Sequence, residues 1–340
     1  MIYMNYYSLN QYLRERYGEK VYKLALNGGM TCPNRDGTLG TRGCLFCSAG
    51  GSGEFAELVP TCPKGNVEYI ETVETDSVRR QIEAAKQRLS NKQTGNKFIA
   101  YFQAYTNTYA PVEYLRSLYL PVLEQEAIVG LSIGTRPDCL PEDVLDLLGE
   151  LNQIKPVWVE LGLQTIYENT ARFIRRGYEL PCFERAVEEL RKRHIEVIVH
   201  LIFGLPGESK EDMMESVRYV NQAGIQGVKF QLLHVLKGTD LVELYLAGQK
   251  FSDTDSSDGA HGSEGNQGEN DFRVLTMEEY IDIVCDAIAL LSPNIVVHRI
   301  TGDGPKKLLI APKWSEDKKR VLNAINKELA LRGITQGCKL

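Results

Sequence analysis

The stretch LNGGMTCPNRDGTLGTRGCLFCSAGG, residues 26–51, holds three of the chain's eight cysteines. Cys44 and Cys47 form a tight Cys-x-x-Cys pair, and Cys32 stands upstream of them in a loop crowded with glycine. A structural zinc site is closed by four ligands, often as two such pairs, and this stretch supplies one pair and a third thiol. Cys62, in VPTCPKG, is a candidate fourth ligand. Cys139, Cys182, Cys285 and Cys338 are isolated and read as buried small hydrophobes or bystanders. Three thiolates alone suit a [4Fe–4S] cluster in which the protein holds three irons and leaves the fourth open to a ligand.

The loop follows an apolar run, VYKLAL near residue 21, that reads as a strand. Further strands are expected at KFIAYF near 97, AIVGLSI near 127, VWVELGL near 157, EVIVHLIF near 196 and GVKFQLL near 227, with IVVHRI near 295 as a later, separate one. Helical stripes lie between them: Val78, Ile82, Ala85 and Leu89; Met213, Val217 and Val220; and Met277, Ile281, Val284, Ile288 and Leu291. Strand and helix alternating about six times imply a parallel sheet with helices outside, either an open doubly wound sheet or a full or partial barrel. In each of these, chemistry belongs at the C-terminal ends of the strands, where the cysteine loop sits.

The 340 residues, 43% of them hydrophobic, are enough for a substantial core. No run approaches the roughly twenty apolar residues of a membrane span, and the first residues lack the apolar core of a signal peptide. A cytoplasmic location is expected, where clustered cysteines bind metal or react rather than form disulfides. The net charge of −6 is unevenly spread. Asp253, Asp255, Asp258, Glu264, Glu269 and Asp271 fall in a Gly- and Ser-rich segment, 251–272, which is expected to be a disordered insertion. Residues 306–332 carry eight cations, among them Lys306, Lys307 and Lys313, against three carboxylates. That run reads as a solvated basic helix face or as a surface for an anionic partner.

GGMTCPNRDGTLGTRGCLFC resembles the cysteine motif of the radical S-adenosylmethionine (radical SAM) enzymes, and within them the Elp3-like branch and its bacterial YhcC/YtqA group. The resemblance extends from about residue 6 to 320 and is interrupted by the acidic insertion. It implies an α/β fold, a partial (β/α)6 TIM-like barrel of the radical SAM type with a small C-terminal extension. The expected division is an N-terminal extension over 1–20, the core over 21–238 and a C-terminal region over 239–340.

The resemblance also implies roles. Cys32, Cys44 and Cys47 are the catalytic cluster ligands, and SAM chelates the open iron. Phe46 lies where the family packs an aromatic near the adenine. Gln103 and Thr106, in YFQAYTNTYA, fall at the segment that binds the SAM amino group. LSIGTRPDCL resembles the family's IETRPD segment, with Gly134 in place of the acid; Arg136 and Asp138 stay aligned, as cofactor contacts or as an ion pair ordering a loop. VELGLQTI places Gln164 toward the cofactor and Glu160 facing inward. Arg176, in RRGY, aligns with an arginine that approaches the SAM carboxylate. In HLIFGLPGES, Gly204 and Gly207 allow close backbone approach, Ser209 or Glu208 caps a helix, and His200 is a ribose contact or a structural residue. His234 and Lys237 are candidate substrate contacts.

The expected function is reductive cleavage of SAM at a [4Fe–4S] cluster, giving a 5′-deoxyadenosyl radical, with electrons from a donor such as flavodoxin or ferredoxin. Kinship with Elp3-like enzymes makes tRNA the expected substrate, the radical remodelling the C5 side chain of the wobble uridine. The basic C-terminal segment with Trp314 is the expected grip on the anticodon stem-loop. The alternatives are a radical SAM oxidoreductase acting on a small molecule and a zinc-bound RNA adaptor completed by Cys62.

Overall fold

The computed structural model describes residues 5–51, 75–89, 95–254, 272–302 and 304–340. In chain order the elements are α1 (Leu9–Tyr17), β1 (Tyr22–Leu26), α2 (Thr75–Leu89), β2 (Phe98–Phe102), α3 (Val112–Leu123), β3 (Ile128–Thr135), α4 (Glu142–Ile154) and β4 (Val157–Gln164). They continue with α5 (Glu168–Phe173), α6 (Leu180–Lys192), β5 (Glu196–Phe203), α7 (Lys210–Gln222), β6 (Gly227–Leu232) and β7 (Val235–Leu236). The last are α8 (Leu241–Thr254), α9 (Met277–Leu290), β8 (Val296–Arg299), β9 (Leu309–Ala311) and α10 (Lys318–Leu331).

Seven strands form one parallel sheet in the order β1-β2-β3-β4-β5-β6-β8, curled into a half-barrel with helices on its outer face. The strands alternate in the period of two that a sheet imposes. On β4, Val157, Val159, Leu161 and Leu163 join the large core under the helices. Trp158, Glu160, Gly162 and Gln164 face the other way, into the half-barrel. The run near 295 is not separate, as expected, but pairs with β6 through Gly227↔Val296 and Val228↔Val297. Its delivery by α9 completes a further parallel crossover, which the long acidic segment hides in the sequence.

The N-terminal end of the half-barrel is plugged. α1, capped by Ser8 at one end and by Gly18 at φ 76° at the other, buries Leu13 against Val21, Ile99, Trp158 and Ile198. Tyr12 packs on Trp158 at 6.1 Å between ring centroids. The half-barrel is therefore apolar at this end, and its cavity lies toward the strand C-termini. There the short antiparallel pair β7 and β9 joins the rim, with Val235 opposite Ala311.

The capping expectation for GLPGES is met by Ser209, whose hydroxyl accepts from the Asp212 amide while the Asp212 carboxylate accepts in return. The acidic segment begins as helix, because α8 runs on to Thr254. Once a helix is nucleated each added residue gains a hydrogen bond, which carries it into a polar stretch. Residues 255–271 and Cys62 lie outside the described residues. No helix among the described residues is long and apolar enough to cross a membrane.

Candidate active site

The cysteine loop leaves β1 and folds back over the mouth of the half-barrel. The Arg35 and Asp36 amides donate to the Cys32 carbonyl at 2.8 and 3.2 Å, and the Cys47 amide donates to the Cys44 carbonyl at 3.0 Å. Arg35 stitches the curl from inside, its guanidinium donating to the Cys47 and Ser48 carbonyls at 2.8 and 2.6 Å. Gly43, at φ 75°, is required there: a Cβ would lie 2.9 Å from that guanidinium. Asn34 ties the loop to the turn after α5, donating to the Arg175 carbonyl at 2.7 Å and to Cys44 Sγ at 3.3 Å.

Cys32, Cys44 and Cys47 line one cavity of about 270 Å³ enclosed by the inner strand faces. Burial, and then the neighbouring Cys47, push the Cys44 thiol up to about 12. A free thiolate is thus disfavoured at this position, whereas a metal ion holds a coordinating thiol deprotonated. Among the described residues no three His, Cys, Asp or Glu side chains gather closely enough to hold a single ion. Three soft sulfur donors spaced around the mouth of a cavity fit an iron–sulfur cluster ligated at its corners.

Ten of the expected site residues meet in this cavity: the three cysteines with Phe46, Gln103, Thr106, Arg136, Gln164, Arg176 and His200. Phe46 is half-buried and packs with Leu45, Ile174 and Ile202. Thr106 is buried, and its amide donates to the Thr31 carbonyl at 3.2 Å, pinning the cysteine loop to the end of β2. Gln164 ends β4 with φ 61°, a left-handed backbone that side chains rarely adopt and that concentrates at functional sites. Gly204, at φ 85°, sits in the β5–α7 turn outside the cavity lining, where a Cβ would lie 3.0 Å from Leu275. At Gly134 a Cβ would press within 3.3 Å of the Phe102 carbonyl.

Two arginines are committed to the wall itself. Arg136 holds Asp138 in a bidentate pair at 2.9 and 2.7 Å and donates to the Arg176 carbonyl at 2.9 Å. Arg176, only 1% exposed, donates to the Tyr178, Leu163 and Thr165 carbonyls and to Glu168. Four of its five N–H donors are thus engaged in the wall, three by the backbone and one by Glu168. Both guanidinium carbons lie over the Tyr178 ring, at 5.0 and 4.8 Å from its centroid.

Beneath this belt lies a charge network that sequence reading largely missed. Glu160, fully buried, accepts from Lys23 at 2.6 Å, Ser132 at 2.7 Å and His200 at 2.8 Å, and from Lys229. Burial alone would raise its carboxyl, but Lys229, Lys23 and His200 outweigh that and hold it well below the usual range. Burial and then Lys229 drive His200 down to about 4, so the ring is neutral at pH 7. Gln231 Nε2 lies 3.3 Å from His200 Nδ1, which leaves Nε2–H to donate to Glu160. His200 is thereby held in the wall of the cavity. The available signal was a lysine at an inward position of two apolar strands, VYKLAL and GVKFQLL.

At the mouth, His234 fits against Gly302 and Gly304; a Cβ on Gly304 would lie 2.5 Å from the imidazole. The exposed Lys237 donates its amide to the Leu308 carbonyl at 2.7 Å, which sets it beside the basic stretch that starts at Lys306 and Lys307. Trp314 is half-buried and engaged within the chain. Its indole donates to the Leu275 carbonyl at 3.0 Å and its ring packs on Tyr280 at 5.7 Å.

Comparison with known proteins agrees with this geometry. The radical SAM superfamily model matches residues 37–220, and the Radical_SAM C-terminal domain model matches 266–330. The chain is 46% identical to YtqA of Bacillus subtilis (strain 168) over 98% of its length and 92% of that protein, and 36% identical to YhcC of Escherichia coli (strain K12) over 96% and 93%. It is 26% identical to Elongator complex protein 3 of Danio rerio over 53% of this chain and 29% of that one. The fold is similar to that of archaeal Methanocaldococcus infernus Elp3, with a TM-score of 0.61 at 18% identity over 93% of this chain and 64% of that one. With three thiols lining a half-barrel cavity, and with matches over most of its length, the chain belongs to the radical SAM superfamily, an enzyme family whose cofactors are a [4Fe–4S] cluster and SAM.

Proposed function

We propose that this chain is a tRNA-modifying radical SAM enzyme that remodels the C5 side chain of the wobble uridine. When bound, the cluster and SAM supply a 5′-deoxyadenosyl radical that abstracts hydrogen from the substrate. Cys32, Cys44 and Cys47 hold the cluster at the cavity mouth. Phe46 offers an apolar face for the adenine, and Gln103, Thr106 and Gln164 offer polar groups for the methionine end. Arg136 and Arg176 act at one remove, fixing the loops that carry these groups. The plugged floor excludes water from the interior, which protects a reactive radical from side reactions. We assign the radical-forming unit to 21–238, the place of action to the cytoplasm, and the electron supply to a small donor such as flavodoxin or ferredoxin.

The observation that carries the tRNA reading is the basic rim. Lys237, Lys306 and Lys307 are exposed around the mouth formed in part by Gly304 and Pro305, where they can meet phosphates flanking an everted base. The likeness to Elp3-like proteins supports the same substrate class. The test is a mass-spectrometric nucleoside profile of total tRNA from cells with and without the gene. The expected result is a shift confined to one C5-substituted uridine. An unchanged profile, with the gene expressed, contradicts the proposal and favours a small-molecule substrate.

A further inference from the structure

Arg35 lies just beyond Cys32, half-buried inside the curl of the cysteine loop and in the lining of the cavity. Its Nη2 donates to the Cys47 and Ser48 carbonyls, and the guanidinium also hydrogen-bonds the Cys47 side chain. Gly43 lets it close in on the backbone beside Cys44, since a Cβ there would lie 2.9 Å from Nε, Cζ and Nη2. The Tyr105 ring backs it, with the guanidinium carbon 5.8 Å from the ring centroid. This cation differs from its neighbours in having no carboxylate. Arg136 and Arg176 in the same wall are matched by Asp138 and Glu168. Among the described residues Arg35 has no such ion pair, and the groups that favour its charge are Cys47, then Tyr105 and Cys32. The adjacent Asp36 accepts instead from the Thr38 amide at 3.0 Å. A charge drawn out of water is held by an opposite charge, and here the opposite charge is that of the thiolates. Asn34 serves the other member of the Cys-x-x-Cys pair with a neutral donor, its amide reaching Cys44 Sγ at 3.3 Å.

We infer that Arg35, with Asn34 in support, sets the reduction potential of the cluster. This rests on Cys32, Cys44 and Cys47 holding that cluster and on no choice of substrate. One electron from the external donor adds one negative charge to a group already bound by three thiolates. Hydrogen bonds to the sulfurs and a nearby positive charge favour the more negative state, and so raise the potential. Arg35 carries the larger share, because a charge-assisted donor is about twice as strong as a neutral one. With Arg35 in place a mild protein donor can reduce the cluster; without it a stronger reductant is needed.

The test is an EPR-monitored redox titration of the full chain, reconstituted anaerobically and without SAM, for the wild type, Arg35→Gln, Arg35→Lys and Asn34→Ala at matched iron and sulfide content. Arg35→Gln is expected to lower the midpoint by about 59 mV, a tenfold change in the one-electron equilibrium. Arg35→Lys, which keeps the charge, is expected to lower it by less than half as much, and Asn34→Ala by less than Arg35→Gln. A residue that only staples the loop would change how much cluster is held and leave the midpoint of that cluster where it was. A wild-type midpoint in Arg35→Gln, or equal shifts in the Gln and Lys variants, overturns the inference and leaves the cluster standing. Should neither Arg35 variant hold a cluster, pulsed EPR decides on the reduced wild type labelled with 15N in arginine alone. Coupling of the cluster spin to 15N is expected, and its absence overturns the inference. A wild type that takes up zinc without sulfide overturns the cluster itself and Arg35's role with it.

Discussion

Asn34 shows how much order one side chain can give a loop. Its amide reaches Cys44 Sγ and the carbonyls of Arg175 and Arg176, which joins the cysteine loop to the turn after α5. Replacing it by Ala removes these contacts and leaves buried acceptors unmet, at about 1–3 kcal/mol of local stability. Asn34→Ala is expected to fold but to lose iron several-fold faster under a chelator; an unchanged rate contradicts its role. Glu160 stands differently. Glu160→Gln leaves Lys23 and Lys229 buried without a counter-charge and is expected to cost about 3–5 kcal/mol in urea unfolding at pH 7. The pH signs follow from the same network. The Glu160 carboxyl is held low, so its contribution is present above the unfolded value and is lost as pH falls through the folded one. Lys229 is held at about 7, so between there and the ordinary lysine value the unfolded chain binds more protons and this group favours folding increasingly as pH rises. The three thiols were legible in the sequence because 16 consecutive positions hold them. The Lys23–Glu160–Lys229 network was not, because its partners stand 137 and 69 residues apart and only the sheet register brings them together.

At the scale of elements, the six strands after which chemistry was expected all form, since each is a short apolar run bounded by turn residues. The seventh was read as separate because pairing depends on where a crossover returns, and 255–271 interrupt the periodicity that would reveal it. α1 is the element whose part was least visible. A nine-residue helix with a modest apolar face gives no hint that it plugs a half-barrel, yet Leu13 is 2% exposed among Trp158, Ile99 and Ile198. Leu13→Ala is expected to cost about 2–5 kcal/mol on urea unfolding, the range for a core truncation, with the iron content of the folded protein unchanged. A cost under about 1 kcal/mol would mean that the plug is loose. Trp314 teaches the converse. An aromatic within a basic run suggests stacking on nucleic acid, but its indole and ring are both used in packing against Leu275 and Tyr280.

For the whole molecule, charge is segregated along the chain: six acids within 251–272, and an excess of cations from Lys306 onward that begins at the cavity mouth. Net charge alone, at −6, points away from nucleic acid, and the distribution points toward it. Affinity for tRNA is expected to fall about tenfold or more between roughly 50 and 200 mM salt. Changing both Lys306 and Lys307 to Ser is expected to weaken binding and to flatten the salt dependence by about one per cation removed. Binding that is indifferent to salt contradicts the basic rim as the docking surface.

All of this depends on the three thiols holding one cluster that SAM can reach. The most direct measurement is the iron, sulfide and zinc content of the anaerobically reconstituted chain, paired with formation of 5′-deoxyadenosine from SAM under a strong reductant, for the wild type and for Cys44→Ala. Equal iron and sulfide, about four of each per chain, with SAM cleavage in the wild type and loss of both in the variant, is the predicted result. One zinc without sulfide, or a variant that keeps its cluster and still cleaves SAM, would contradict it.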